Sequence, residues 1–163
     1  MRGGKIHVRR NARYRTGIHM KAYREKLPLL LIGGSTGSFL SERQAGGIII
    51  VLGLDTDGKS LISNFSCTGM HGGKLFLRSD CAGIAFPEQV TARPATPEDM
   101  TEIEPYLREF CALFDAPFDK AFAPPYTVVT LDSRNPYQRM YVANRGAAIR
   151  TANARIVGAI RAR

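Results

Sequence analysis

Gln44-Ala-Gly-Gly-Ile-Ile-Ile-Val51 reads as a turn that runs straight into a strand: two glycines, then four β-branched residues. The same pattern recurs as Met1-Arg-Gly-Gly-Lys-Ile-His-Val8 and as Met70-His-Gly-Gly-Lys-Leu-Phe-Leu77. A further version, Met20-Lys-Ala-Tyr-Arg-Glu-Lys-Leu-Pro-Leu-Leu-Leu-Ile32, keeps the leading methionine and the apolar run, with a polar insertion in place of Gly-Gly. Counted from the leading residue, the steps are 19, 24 and 26 residues. A period of roughly 20–30 residues marks units that stack because none can bury its hydrophobic face alone.

The residues between the strands narrow the architecture. Leucine-rich repeats need Leu-x-x-Leu-x-Leu, which is absent, and helical repeats need two amphipathic stretches per unit. Short strands parted by Gly, Ser, Asn and Asp turns instead suit an all-β solenoid, a single-stranded parallel β-helix. Gly3, Gly4, Gly33, Gly34, Gly46, Gly47, Gly69, Gly72 and Gly73 are its expected turn glycines. Gly47 and Gly73 are placed at corners, where positive φ or close backbone approach needs a residue without Cβ. In Lys5-Ile6-His7-Val8-Arg9 the alternation points Ile6 and Val8 inward and Lys5, His7 and Arg9 to solvent. The all-apolar run Ile48 to Leu52 reads as covered on both sides.

Beyond Pro87 the pattern changes. Thr96-Pro97-Glu98-Asp99 is a helix start, with a threonine cap, proline at the first helical position and acids in the first turn. Met100, Ile103, Leu107, Phe110, Leu113 and Phe114 then share one face, which predicts an amphipathic helix from Pro97 to about Asp115, packed on the solenoid. Residues 116–143 are rich in proline and aromatics and read as an extended covering segment. The expected organisation is therefore repeats over 1–86, helix and cover over 87–143, and a basic tail over 144–163. For Gly146 to Arg163, a weak amphipathic helix and a frayed tail fit equally.

The chain has 163 residues, 44% hydrophobic and 23% charged, as a globular domain does. Its longest apolar run, Leu27 to Ile32, is too short to span a bilayer. No signal peptide is visible, and three cysteines (Cys67, Cys81, Cys111) without paired spacing suit reduced thiols in a cytoplasmic protein. A disulfide scaffold, a membrane protein and a collagen-like fibre are excluded. The net charge of +9 is uneven: +8 over residues 1–26, −4 over 27–143 and +5 over 144–163. Arg9, Arg10, Arg13, Tyr14, Arg15, Lys21, Tyr23, Arg24 and Lys26 interleave cations with aromatics, as a phosphate-tracking surface does. Composition alone leaves nucleic acid and an acidic protein partner equally matched.

Motifs for chemistry are sparse. Leu29-Leu-Leu-Ile-Gly-Gly-Ser-Thr-Gly-Ser38 has neither the lysine of a phosphate loop nor a dinucleotide fingerprint, so it reads as a turn. His7, His19 and His71 sit at different positions of the repeat. Cys67-x-x-x-His71 is half a zinc site at most. Ser35, Ser41, Ser60, Ser63 and Ser66 have no neighbouring pattern that would activate a nucleophile. No catalytic, cofactor-binding or metal-ligating residue is assigned.

Asn11-Ala-Arg-Tyr-Arg-Thr-Gly-Ile-His-Met-Lys-Ala-Tyr23, Ala45-Gly-Gly-Ile-Ile-Ile-Val-Leu-Gly-Leu54 and Gly69-Met-His-Gly-Gly-Lys-Leu75 together resemble the carboxy-terminal GXGXG domain of the glutamate synthase large chain. Phe114 to Lys120 and Arg134-Asn-Pro-Tyr137 match it more loosely. The resemblance implies a right-handed parallel β-helix that is not itself catalytic, a fold shared with one of the subunits of formylmethanofuran dehydrogenase. In archaeal-type systems it implies a stand-alone subunit beside an amidotransferase (glutaminase) and a synthase subunit with FMN and an iron–sulfur cluster. The domain would buttress those two parts, between which ammonia passes, and would bind no cofactor itself. Two departures stand out: Arg10 and Arg13 occupy positions where glycines are expected, and Met1 opens inside a repeat. The open first coil would then be covered by a partner or by another copy of the chain.

Overall fold

In the computed structural model, which describes residues 1–54, 56 and 60–132, the Gly-Gly repeats become strands. These are β1 (Lys5–Val8), β2 (Leu29–Ile32), β3 (Ala45–Val51) and β4 (Gly72–Leu77), paired in parallel in that order. Ile6 is level with Leu30, Leu30 with Ile49, and Ile49 with Leu75. The register therefore keeps the apolar positions of all four strands aligned. The polar insertion in the second unit forms a small turn closed by a Tyr23–Lys26 bridge, so β2 still meets β1 in register.

After β4 the chain departs from that pattern. It forms β5 (Val90–Pro94), α1 (Pro97–Phe114), α2 (Phe118–Phe122) and β6 (Thr127–Leu131). β6 runs antiparallel to both β4 and β5, giving one six-stranded sheet in the order β1-β2-β3-β4-β6-β5. The architecture of the described residues is thus a mixed sheet with two helices, an α/β-type fold. It corrects the sequence expectation of an all-β, single-stranded parallel β-helix. The physical reason is that the repeat stops at Leu77. β4 would then present an open edge, and β6 closes it with antiparallel bonds. The segment expected to be extended cover over 116–143 contributes α2 and β6 within its described part. Residues 133–143 of that segment and the basic tail of 144–163 lie outside the described residues.

Both faces of the sheet are covered. Leu30, Ile32, Ile49, Val51, Leu75, Leu77 and Val129 pack toward the connections, against Met20, Leu40, Cys67 and Met70. Leu29, Leu31, Ile48, Ile50, Phe76 and Val128 pack toward Ile103, Leu107 and Phe110 of α1. This explains why Ile48 to Leu52 is apolar at every position. Burying each of these large side chains contributes roughly 1.5–3 kcal/mol. α1 starts where its cap predicts. Thr96 and Asp99 form a reciprocal capping box, and Asp115 ends the helix in the left-handed region at φ 52°. Leu113, placed on the buried face by its spacing, is 59% exposed. Ile6, expected to point inward, is 47% exposed, and His7, expected to face solvent, is largely covered, whereas Lys5 is exposed as expected. α1 lies over Lys5 and His7, with Lys5 Nζ 2.5 Å from Glu109 Oε2 and His7 beside the Phe110 ring.

Candidate functional site

The connections between parallel strands are hydrogen-bonded to one another, and they build a turn face opposite α1. Arg15 N–H donates to Ser38 O (2.9 Å) and Phe39 N–H to Asn64 O (3.0 Å). His19 N–H donates to Glu42 O (3.0 Å) and Arg43 N–H to Thr68 O (2.8 Å). These bonds align three columns: Arg15–Phe39–Phe65, Gly17–Ser41–Cys67 and His19–Arg43–Gly69. All nine residues have positive φ, between 50° and 75°. A Gly-x-Gly-x-Gly spacing would supply that alternation without strain, yet only Gly17 and Gly69 are glycines. Each of the other seven holds a side chain in the left-handed region, at roughly 1–2 kcal/mol per residue. The middle column points inward, with Ser41 and Cys67 fully buried, while the outer two are exposed except at Phe39, which is half-buried between its neighbours.

The predicted turn glycines fall into two groups. Gly4, Gly47, Gly69 and Gly73 have positive φ. Gly3, Gly33, Gly34, Gly46 and Gly72 are approached closely by neighbouring backbone or side chains instead. At Gly47 both demands coincide: φ is 82° and a Cβ would lie 2.4 Å from the Pro28 carbonyl oxygen. At Gly33 a Cβ would come within 2.2 Å of Arg9 O. The Gly33–Ser38 turn is no anion cradle. Its Gly33, Gly34 and Gly37 N–H groups donate to Val8, Arg10 and Arg13 carbonyls, and Ser35 N–H donates to Asn11 Oδ1.

Beneath the turn face, Gln44 occupies the buried column between Met20 and Met70. The Ser41 hydroxyl donates to Gln44 Oε1, and Gln44 Nε2 donates to the Gly47 carbonyl at 3.1 Å. A polar side chain is therefore satisfied in a place where its neighbours in the stack are methionines. The serines behave as turn residues: Ser35 bonds Asn11, Ser38 bonds Ser63, and Ser60 and Ser66 donate to nearby carbonyls. Burial pushes the Cys67 thiol up to about 12, against the partial relief of a Ser41 hydrogen bond, whereas His71 is exposed. That setting opposes the thiolate a metal would need. Among the described residues no group of three or more His, Cys, Asp and Glu could hold a metal ion. None of their helices is long and apolar enough to cross a membrane.

On the outer surface of the turn face, aromatics and cations lie together. Tyr14 and Phe39 meet edge to face at 5.3 Å between ring centroids, and Phe39 and Phe65 stack at 5.1 Å. The Arg15 guanidinium lies 5.3 Å from the Tyr14 centroid and 5.5 Å from that of Phe39, and its Nε is 3.3 Å from Glu42 Oε2. A groove of about 690 Å³ continues from Phe65, lined in part by Ile62, Ile84, Phe86 and Pro87. Sequence patterning singles out Tyr14 and Arg15 but misses Phe39, Phe65 and Arg43. A signal for them is present. Phe39 follows Arg15 by 24 residues and Phe65 follows Phe39 by 26, the same steps that separate Met20, Gln44 and Met70.

The chain is 40% identical over 134 residues to an uncharacterized protein of Methanocaldococcus jannaschii, a match covering 78% of this chain and 51% of that protein. The chain thus spans about half the length of the curated relative it matches. The family model for the GXGXG motif matches residues 1–128, which takes in β1 to β4, the turn face and α1, and the chain belongs to the GXGXG motif family.

Proposed function

We infer that this chain is a non-catalytic structural domain or subunit of a glutamate synthase-like enzyme, acting in glutamate biosynthesis. The observation that carries the reading is the GXGXG match over residues 1–128, read with the ordered motifs Gly17-Ile-His-Met-Lys21, Ala45-Gly-Gly47 and Met70-His-Gly-Gly73. Its physical contribution would be rigidity. Main-chain bonds between successive connections, together with a sheet buried on both faces, hold a surface in fixed geometry against which two other parts can be set. Those parts are a glutaminase, which releases ammonia from glutamine, and a synthase that carries FMN and an iron–sulfur cluster. The reading assigns both groups to the partners, as the resemblance to the glutamate synthase domain implies.

The test is co-elution. The purified chain is mixed with the glutaminase and synthase subunits encoded in the same genome and run on a sizing column. A stoichiometric complex containing all three is expected. Elution of the chain alone, at concentrations where the other two associate, contradicts the reading.

A further inference from the structure

The turn face carries an exposed aromatic series that the stability of the free chain does not explain. Tyr14 is 59% exposed and Phe65 66% exposed, so their rings gain little from burial. Phe39 and Phe65 nevertheless hold φ of 63° and 61°, a region that glycine enters freely and a phenylalanine does not. The buried Ser41 and Cys67 hold the same left-handed backbone at φ 62° and 63°, so what needs explaining is the exposed ring of Phe65. Contiguous exposed apolar surface is the mark of a contact made by another molecule. The series does not end at Phe65, because the groove with Ile84 and Phe86 in its lining carries on from it. Cations flank it. Arg15 touches two of the rings, while Arg43 is exposed in the other outer column. Glu42, the acid of that column's connection, is already engaged by Arg15.

We propose that the Tyr14–Phe39–Phe65 series and its groove dock an extended segment of a partner protein that presents apolar or aromatic side chains beside carboxylates. The rings touch one another at 5.1–5.3 Å and leave no gap for a nucleobase to enter. The groove lining beyond Phe65 is uncharged, which suits side chains rather than phosphates. Arg15 and Arg43 supply the charge complement for the carboxylates. The proposal rests on the assembly reading above and names the surface through which the assembly forms.

Its test titrates three probes onto the full chain: the purified glutaminase subunit, the purified synthase subunit and a single-stranded RNA oligonucleotide. The wild type is compared with Phe65→Gly, Phe65→Asn and the double variant Tyr14→Ser/Phe65→Gly. Glycine and asparagine tolerate the left-handed backbone, so these variants should keep the wild-type Tm. One of the two subunits should bind the double variant at least tenfold more weakly. Equal affinity for wild type and variants overturns the docking surface while leaving the assembly reading intact. A marked fall in Tm for both Phe65→Gly and Phe65→Asn assigns the ring to the fold and overturns it as well. Failure of the wild type to bind either subunit overturns both readings. Submicromolar RNA binding that Phe65→Gly abolishes overturns the choice of a protein partner.

Discussion

The Gln44 side chain occupies the space that a Cβ on Gly73 would need: its Nε2 lies 2.4 Å from that point, with the Gly47 carbonyl oxygen 2.6 Å from it. Gly73 also has φ 86°. A residue from one repeat thus reaches into the Gly-Gly turn of the next, and the glycine is what admits it. Gly73→Val must displace Gln44 and strain its own backbone. The expected cost is about 1–3 kcal/mol or more, seen as a Tm several degrees lower by calorimetry. An unchanged Tm would show that this contact does not constrain the stack.

Gln44 itself offers a sharper test, because its column neighbours are Met20 and Met70. Gln44→Met preserves volume and adds hydrophobicity, yet it strands the Ser41 hydroxyl and the Gly47 carbonyl in a buried site. We expect a loss of about 1–3 kcal/mol by urea unfolding. Adding Ser41→Ala should recover part of that loss, since one stranded polar group is removed. A stabilised Gln44→Met variant would mean that hydrophobic gain outweighs the network.

The link between β5 and the start of α1 is a carboxylate that titrates. Arg93 Nη1 lies 2.5 Å from Asp99 Oδ2, and this contact, aided by Thr96, holds the Asp99 carboxyl down at about 2. Asp99 is only 6% exposed. Because the folded value lies below the unfolded one, near 3.9, its stabilisation is complete above about pH 5 and is lost as pH falls through about 2. Asp99→Asn should therefore cost on the order of 2 kcal/mol at pH 7, and the two proteins should converge in stability near pH 2. A stability difference that does not change between pH 7 and pH 2 would contradict the ion-pair account.

Thiol chemistry should follow burial. Cys67 is fully buried with its thiol pushed up to about 12, while Cys81 and Cys111 are 8% and 7% exposed. In native protein at neutral pH, alkylation followed by peptide mapping should label Cys67 last, and denaturant should equalise the three. Fast labelling of native Cys67 would show that the core beneath the turn face opens readily.

Much of this organisation is legible in the residues, and the limits are physical. Gly-Gly followed by apolar runs marks β1, β3 and β4, and Leu29 to Ile32 marks β2, since each is a strand entered by a tight turn. Thr96-Pro97 fixes the helix start because capping chemistry is local. The antiparallel closure by β6 escapes notice because Thr127-Val-Val-Thr-Leu131, a β-branched run, is embedded among prolines and aromatics that suggest extended cover. β5 is hidden because only Val90 of its five residues is buried, so no alternation shows. The positive φ at Phe39, Ser41, Phe65 and Cys67 cannot be read from residue type. Only their alignment with Arg15 and Gly17 reveals it. The aromatic series is legible only through the repeat, because Phe39 follows Arg15, and Phe65 follows Phe39, by the same 24 and 26 residues that separate Met20, Gln44 and Met70.

The central claim is that this chain serves two active parts without reacting itself, and reconstituted turnover tests it most directly. Glutamate formation is measured with the glutaminase and synthase subunits in the presence and absence of the chain, using glutamine in one series and ammonia in the other. The account predicts that omission lowers the glutamine-dependent rate more than the ammonia-dependent rate, because a buttress matters most when ammonia must travel between two sites. Equal rates with and without the chain in both series would contradict it.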